Sequence, residues 1–182
     1  MNHKLSIVQY NCGQANAKAT RALFDSFEKP LILAIQEPGY NNRTKSTYCP
    51  KPYQLAYEAL PEIRTCFMIR RDVPASQWKR RQYGPNVATL TIVLQERTLT
   101  IVNVYNPRSN DPRIKEWPRI QEALQGAQGD ILLLGDFNTH HPTWGGQGVA
   151  CEQQAERLLF ETKKADLYLL TQQGDSTWKR GR

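Results

Sequence analysis

The sequence predicts an α/β protein built from two packed sheets flanked by helices. Three observations lead there. Apolar runs of strand length recur along the chain, among them LSIVQY, LILAIQ, VATLTIVL, LTIVNV and DILLLG. Segments with helical spacing lie between some of these runs. The order of the two types is neither a regular βαβ repeat nor an all-β series, which leaves sheets packed on sheets with helices outside.

Taken in order, residues 5–11 read as the first strand and residues 15–28 as an amphipathic helix. Ala19, Leu23 and Phe27 fall at four-residue steps there and share one face. Pro30 ends that helix, and residues 31–36 form an apolar strand leading into Glu37. Residues 38–52 are a polar loop, followed by short strands at 53–57 and 64–70. A basic loop with an exposed Trp78 is expected over 71–86. VATLTIVL at 87–94 and LTIVNVY at 99–105, joined by QERT, give the strongest antiparallel signal. Residues 113–125 look helical, beginning or kinking at Pro118, because proline lacks the donor that an interior turn needs. ILLLG at 131–135 is a central strand, DFNTHHPTWGG a loop, 151–165 a helix with Leu158 and Leu159 facing the core, and LYLL at 167–170 a last strand.

A chain of 182 residues suits one domain with a real core, and no internal linker divides it. No apolar run is long enough to cross a bilayer, and the start, MNHKLSIVQYN, lacks the pattern of a secretory signal. The expectation is an intracellular protein with no membrane partner. Lysine and arginine number 24 against 17 acidic residues, for a net charge of +7, which favours a polyanionic partner such as nucleic acid. The same balance also fits an ordinary basic surface. The four cysteines, Cys12, Cys49, Cys66 and Cys151, form no CxxC pair and no zinc-like spacing, so they read as free thiols in a reducing compartment.

Chemistry-bearing residues gather at the ends of the apolar runs. Asn11, Glu37, Tyr105 and Asp136 each close one, and Asn138 follows two residues later. A carboxylate at the mouth of a buried strand loses hydration unless a cation or donors compensate it. Magnesium does so while keeping several waters and meeting phosphate, so one or two carboxylates suffice. The bland alternative is a pair of solvated strand-end acids. In GDFN, Asp136 and Asn138 can converge from one turn, with Gly135 permitting a backbone path that a side chain would obstruct; a purely local Asx turn is the alternative. His140 and His141 are neighbours and do not form a two-ligand spacing on a strand, so either contacts phosphate or packs within the loop. Trp144 anchors that loop. Trp78, Tyr40 and Tyr48 offer faces for base stacking, with loop packing as the plainer role. The phosphate loop of NTPases and the GxSxG elbow are both absent.

Five segments, in order along the chain, resemble one family: YNC at 10–12, QEP at 36–38, VYNP at 104–107, GDFNTHHPTWGG at 135–146 and STW at 176–178. Together they resemble the endonuclease/exonuclease/phosphatase superfamily. Within it they look like the nuclease domain at the start of non-LTR retrotransposon polyproteins, close to the abasic-site endonucleases. The resemblance implies a four-layer α/β sandwich of two mixed β-sheets flanked by helices. It implies Mg2+ as cofactor, with Mn2+ as a substitute, and Glu37 as its ligand. It makes Asp136 the residue that orients or activates water. Asn138 and Asn11 would support the carboxylates and phosphate, and Tyr105 would contact phosphate. Possible DNA or phosphate contacts are His140, His141 and Thr177. The implied reaction nicks one DNA strand and leaves a 3′-hydroxyl primer, with a reverse transcriptase downstream in the parent polyprotein and the nucleus as the place of action.

The family pattern continues past STW with another aspartate and a terminal Ser-Asp-His-type motif. This sequence ends at Arg182 and has no histidine after His141. The expectation is therefore a single domain over 1–182, C-terminally incomplete, with its terminal strands missing. A catalytically impaired DNA-binding remnant and a phosphomonoesterase of the same fold are the alternatives to an active nuclease.

Overall fold

A computed structural model describes residues 5–15, 17–25, 29–57, 61–94, 97–107 and 116–175. The chain divides into two compact units, Met1–Phe137 and Asn138–Arg182.

The first unit holds two four-stranded mixed sheets of the same plan. One has the order β1 (Ile7–Asn11), β2 (Ile32–Gln36), β6 (Thr65–Arg70), β5 (Tyr53–Ala56). The other has the order β10 (Asp130–Asp136), β9 (Arg97–Tyr105), β8 (Val87–Leu94), β7 (Trp78–Gln82). In each, the first two strands run parallel and the remaining neighbours antiparallel. Period-two alternation explains how they pack. Ile32, Ala34, Phe67 and Ile69 from the first sheet share a buried core with Ala88, Leu90, Ile92 and Ile101 from the second. On the other face of the first sheet, Leu33, Ile35 and Met68 pack with Phe24 of α1 (Ala17–Asp25). α2 (Trp117–Gln125) packs on β8 and β9 through buried Trp117, Ile120 and Ala123. Helix, sheet, sheet and helix make the four layers expected. β2 is buried on both faces, which is why it reads as an unbroken apolar run.

Pro118 lies in the first turn of α2, where its missing N–H costs nothing. The buried Glu116 before it accepts from Asn86 Nδ2 and from Arg119 Nη1, both at 3.0 Å. The loop expected over 38–52 contains a small hairpin, β3 (Tyr40–Asn41) with β4 (Ser46–Thr47). The basic loop expected over 71–86 is mostly structured: a 3₁₀ turn at Ala75–Gln77 leads into β7. Trp78 is half-buried against the inter-sheet core, which corrects its expected exposure. β7 escapes a hydrophobicity reading because its half-buried positions, Trp78, Arg80 and Gln82, alternate with exposed Lys79 and Arg81. The shared face proposed for α1 rests on Ala19, Leu23 and Phe27, whose side chains lie outside the described residues.

The second unit contains α3 (Pro142–Gly145) and α4 (Gln153–Lys164). Leu158 is buried and Leu159 half-buried. LYLL is not a strand: Tyr168 is 80% and Leu170 84% exposed. An apolar run becomes a strand only through a ladder partner, and none pairs with it among the described residues. No helix among the described residues is long and apolar enough to cross a membrane.

Candidate active site

Two parallel strand pairs, one from each sheet, end at the same place. Asn11 lies opposite Gln36 at the C-terminal ends of β1 and β2. Asp136 lies opposite Tyr105 at the C-terminal ends of β10 and β9. The Asn11 Nδ2 group donates to Asp136 Oδ2 at 2.7 Å, joining the two sheets at their rims. Asn11 Oδ1 accepts from the Gly13 N–H at 2.7 Å. A flipped amide would satisfy neither bond, so the two together fix its orientation.

Glu37 follows β2 with φ +46°, an uncommon region for a residue with a side chain. Its N–H donates to Arg64 O at 2.8 Å and its carbonyl accepts from the Gln14 N–H at 2.9 Å, which hold this turn in place. The Tyr105 phenol is hydrogen-bonded to Glu37. Burial first, then that bond and the charges of Glu37 and Asp136, push its pKa up to about 12, against an opposing pull from Arg64. Both carboxylates therefore act on one phenol. Gly135 has φ +148°, and a Cβ there would lie 2.0 Å from Val104 O. Only glycine lets β10 reach Asp136 on this path.

Several supporting residues carry no signal in the run-end pattern. Asn106, 2% exposed, donates its N–H to Asp136 O and its Nδ2 to Phe137 O, each at 2.8 Å, and so holds the carbonyls of the catalytic candidate and of the residue after it. Under the site runs a chain of amides. Gln9 Nε2 donates to Gln36 Oε1 at 2.5 Å, and Gln36 Nε2 donates to Asn103 Oδ1 at 2.5 Å. Asn103 Nδ2 donates to Ile35 O and Cys66 O, each at 3.1 Å. Gln36 and Asn103 are fully buried, one residue before Glu37 and two before Tyr105. Their signal was available as amides inside the apolar runs LILAIQ and LTIVNV. Arg64 was missed as well, although it is a basic residue directly before the apolar 65–69 run. Cys12, beside Asn11, has its thiol pushed up to about 11 by burial and then by the Glu37 charge.

Asn138, His140 and His141 belong to the second unit. Asn138 has φ +46°, a turn conformation that asparagine tolerates. Glu152 accepts from Thr139 Oγ1 at 2.9 Å and from the His140 N–H at 3.2 Å, and pairs with His140 Nδ1 at 2.8 Å. His141 caps α3, its Nδ1 accepting from the Thr143 N–H at 3.0 Å, while its Nε2 lies 3.3 Å from Glu156 Oε1. Trp144 donates from its indole to Thr139 O at 3.3 Å, so it does anchor the loop. Thr177 lies outside the described residues. Tyr40 and Tyr48 line a cleft of about 370 Å³ in the first unit.

The ligating atoms at the strand ends are oxygens, from two carboxylates and a phenol, with the Asn11 amide donating its N–H to one carboxylate. That set suits Mg2+, which takes hard oxygen ligands and needs few from protein. The charges of Glu37 and Asp136 both reach the Tyr105 phenol, and a divalent cation at these strand ends would offset them.

A family model described as endonuclease-reverse transcriptase matches residues 99–182. Among solved structures, the chain is similar to the endonuclease domain of TRAS1, a telomere-specific non-LTR retrotransposon. The identity is 16% and the TM-score 0.70, over 96% of this chain and 77% of that one. It is similar to the AP endonuclease LMAP from Leishmania major at 15% identity and TM-score 0.64, over 88% of this chain and 66% of that one. It is also similar to D. rerio TDP2 complexed with a single-strand DNA product, at 13% identity and TM-score 0.53, over 91% and 66%. These likenesses show the fold: the chain shares its four-layer α/β sandwich with the TRAS1 endonuclease domain and the AP endonuclease LMAP.

Proposed function

We propose that this chain is a Mg2+-dependent DNA endonuclease of retrotransposon type that nicks one strand and leaves a 3′-hydroxyl. The observation that carries the proposal is the meeting of Asn11, Glu37, Tyr105 and Asp136 at the rims of two sheets. The basic charge of +7 supports a polyanionic substrate.

Each residue has a task set by its surroundings. Asn11 fixes the Asp136 carboxylate, which orients water and takes its proton as the oxygen attacks phosphorus. The P–O3′ bond breaks, and the leaving 3′-oxygen takes a proton from solvent water to become the hydroxyl. Tyr105 stays protonated at neutral pH and turns its phenolic hydrogen from Glu37 to a phosphoryl oxygen when substrate arrives. Glu37 would hold Mg2+, which supplies charge neutralisation at the phosphoryl oxygens. Asn138 supports the phosphate, and His140, the more exposed histidine of the pair, is assigned a backbone contact. A reverse transcriptase following in the parent polyprotein, and action in the nucleus, complete the proposal.

Nicking of supercoiled plasmid, with Mg2+ and with chelator, tests it. Asp136→Ala and Glu37→Ala should each reduce nicking by at least about 100-fold. Unchanged nicking in both variants would remove the site from consideration. Salt-sensitive DNA binding without cleavage by folded protein would make the chain a binding remnant, and turnover of small phosphate esters alone would make it a phosphomonoesterase.

A further inference from the structure

The 139–156 segment gathers a second set of ligating atoms, of a different chemical kind. Cys151 Sγ lies 3.0 Å from Glu156 Oε1, and His141 Nε2 lies 3.3 Å from the same oxygen. All three donor atoms fall within 4.8 Å of one another, a unique grouping of this kind among the described residues. The side chains come from the N-cap of α3, the approach to α4 and the first turn of α4. Sequence spacing hides them, because the positions are ten and five residues apart. We propose that His141, Cys151 and Glu156 form a site for a borderline divalent cation of the zinc type, with the fourth position open to water.

Donor chemistry selects the ion. Imidazole, thiolate and carboxylate suit Zn2+ or Co2+, whereas Mg2+ demands oxygen. Bonds of about 2.0–2.3 Å in a tetrahedron put ligand atoms about 3.3–3.8 Å apart. The contacts at 3.0 and 3.3 Å open slightly to reach that range, and the His141–Cys151 pair, within 4.8 Å, closes towards it. The backbone that carries the ligands is already tied: the Glu152 N–H donates to His140 O at 3.0 Å, and Glu152 also holds Thr139 and His140. The His141 ring sits 5.3 Å from the Trp144 ring. Such outer contacts orient ligands before the ion arrives.

Proton bookkeeping is explicit. Cys151 releases its thiol proton to solvent, and Glu156 enters as carboxylate. His141 now accepts at Nδ1 from Thr143 and so carries its proton on Nε2. Ligation through Nε2 moves that proton to Nδ1 and breaks the bond to the Thr143 N–H. The ion thus replaces one helix-capping bond with a metal bond.

Anaerobic titration of the whole chain with Co2+ tests the site. One equivalent should produce a thiolate-to-cobalt absorption band and the visible bands of a tetrahedral ion, both displaced by Zn2+ and unaffected by Mg2+. The Thr143 amide should shift in nitrogen-edited NMR spectra. Cys151→Ser should abolish the charge-transfer band, and Glu156→Gln should keep it with affinity lowered at least tenfold. Both positions are exposed, so both variants should fold, as circular dichroism would verify. The absence of a band in the parent chain would overturn the proposal. So would a band persisting in Cys151→Ser, since Cys12, Cys49 or Cys66 would then be the ligand. None of these readouts depends on nuclease activity.

Discussion

Replacing Asn103 with leucine should cost more stability than its place near a strand end suggests. The side chain makes three hydrogen bonds, accepting from Gln36 and donating to the carbonyls of Ile35 and Cys66. All belong to a fully buried amide that reaches from one sheet to the other. A net bond contributes about 1 kcal/mol, and a buried group left without its partner costs about 1–3 kcal/mol. Three such losses sum to about 3–5 kcal/mol, a large share of the roughly 5–15 kcal/mol that holds a domain folded. In urea unfolding followed by circular dichroism, with a slope of about 2 kcal/mol/M, the midpoint should fall by about 1.5–2.5 M. Gln36→Leu combined with Asn103→Leu should cost less than the sum of the two single changes, because the donor orphaned in one is removed in the other. A loss under about 1 kcal/mol for Asn103→Leu, with the slope unchanged, would refute the claim that the amide chain joins the sheets.

Other consequences can be measured as directly. Gly135→Ala forces a Cβ against Val104 O and a strained φ, so stability should fall by about 2–4 kcal/mol, read as a lower unfolding midpoint. Stability should also fall as pH rises from 9 towards 11. Burial raises Cys12 and Cys49 to about 11, so each thiol contributes fully below its ordinary value and loses that contribution as pH climbs through the folded one. Urea midpoints at pH 8 and pH 10.5 measure the drop, and equal midpoints would contradict it. Glu152→Gln removes the carboxylate that gathers Thr139 and His140, so amide exchange over 139–152 should quicken while the strands of the first unit keep their protection.

What could be read from the sequence depended on where the energy came from. β2, β8, β9 and β10 are held by apolar burial or long ladders, and their runs announced them. The ends of those runs also announced Asn11, Glu37, Tyr105 and Asp136, since a polar residue that closes a buried strand must sit at a rim. β7 was hidden because WKRRQ owes its conformation to β8 beside it rather than to its own hydrophobicity. LYLL failed in the opposite direction: it has the composition of a strand without a ladder to join. Asn106, Asn103 and Gln36 were passed over as site supports because their role depends on contacts across 31 to 68 residues of sequence. The grouping of His141, Cys151 and Glu156 likewise depends on how the α3 loop returns to α4, which spacing does not encode.

The Asn11–Asp136 bond closes a loop of 125 residues and joins the first strand of one sheet to the last of the other. Its two ends carry little information about each other until both sheets have formed and met, because closing so long a loop must be repaid by everything packed within it. The Asp136 carboxylate is therefore given its orientation by the completed fold and by no local element. A nascent chain that has exposed only its first hundred residues holds Asn11 and Glu37 and still lacks the Asp136 that Asn11 orients. The contact can form only once β10 has been made, and its presence reports on the integrity of both sheets at once.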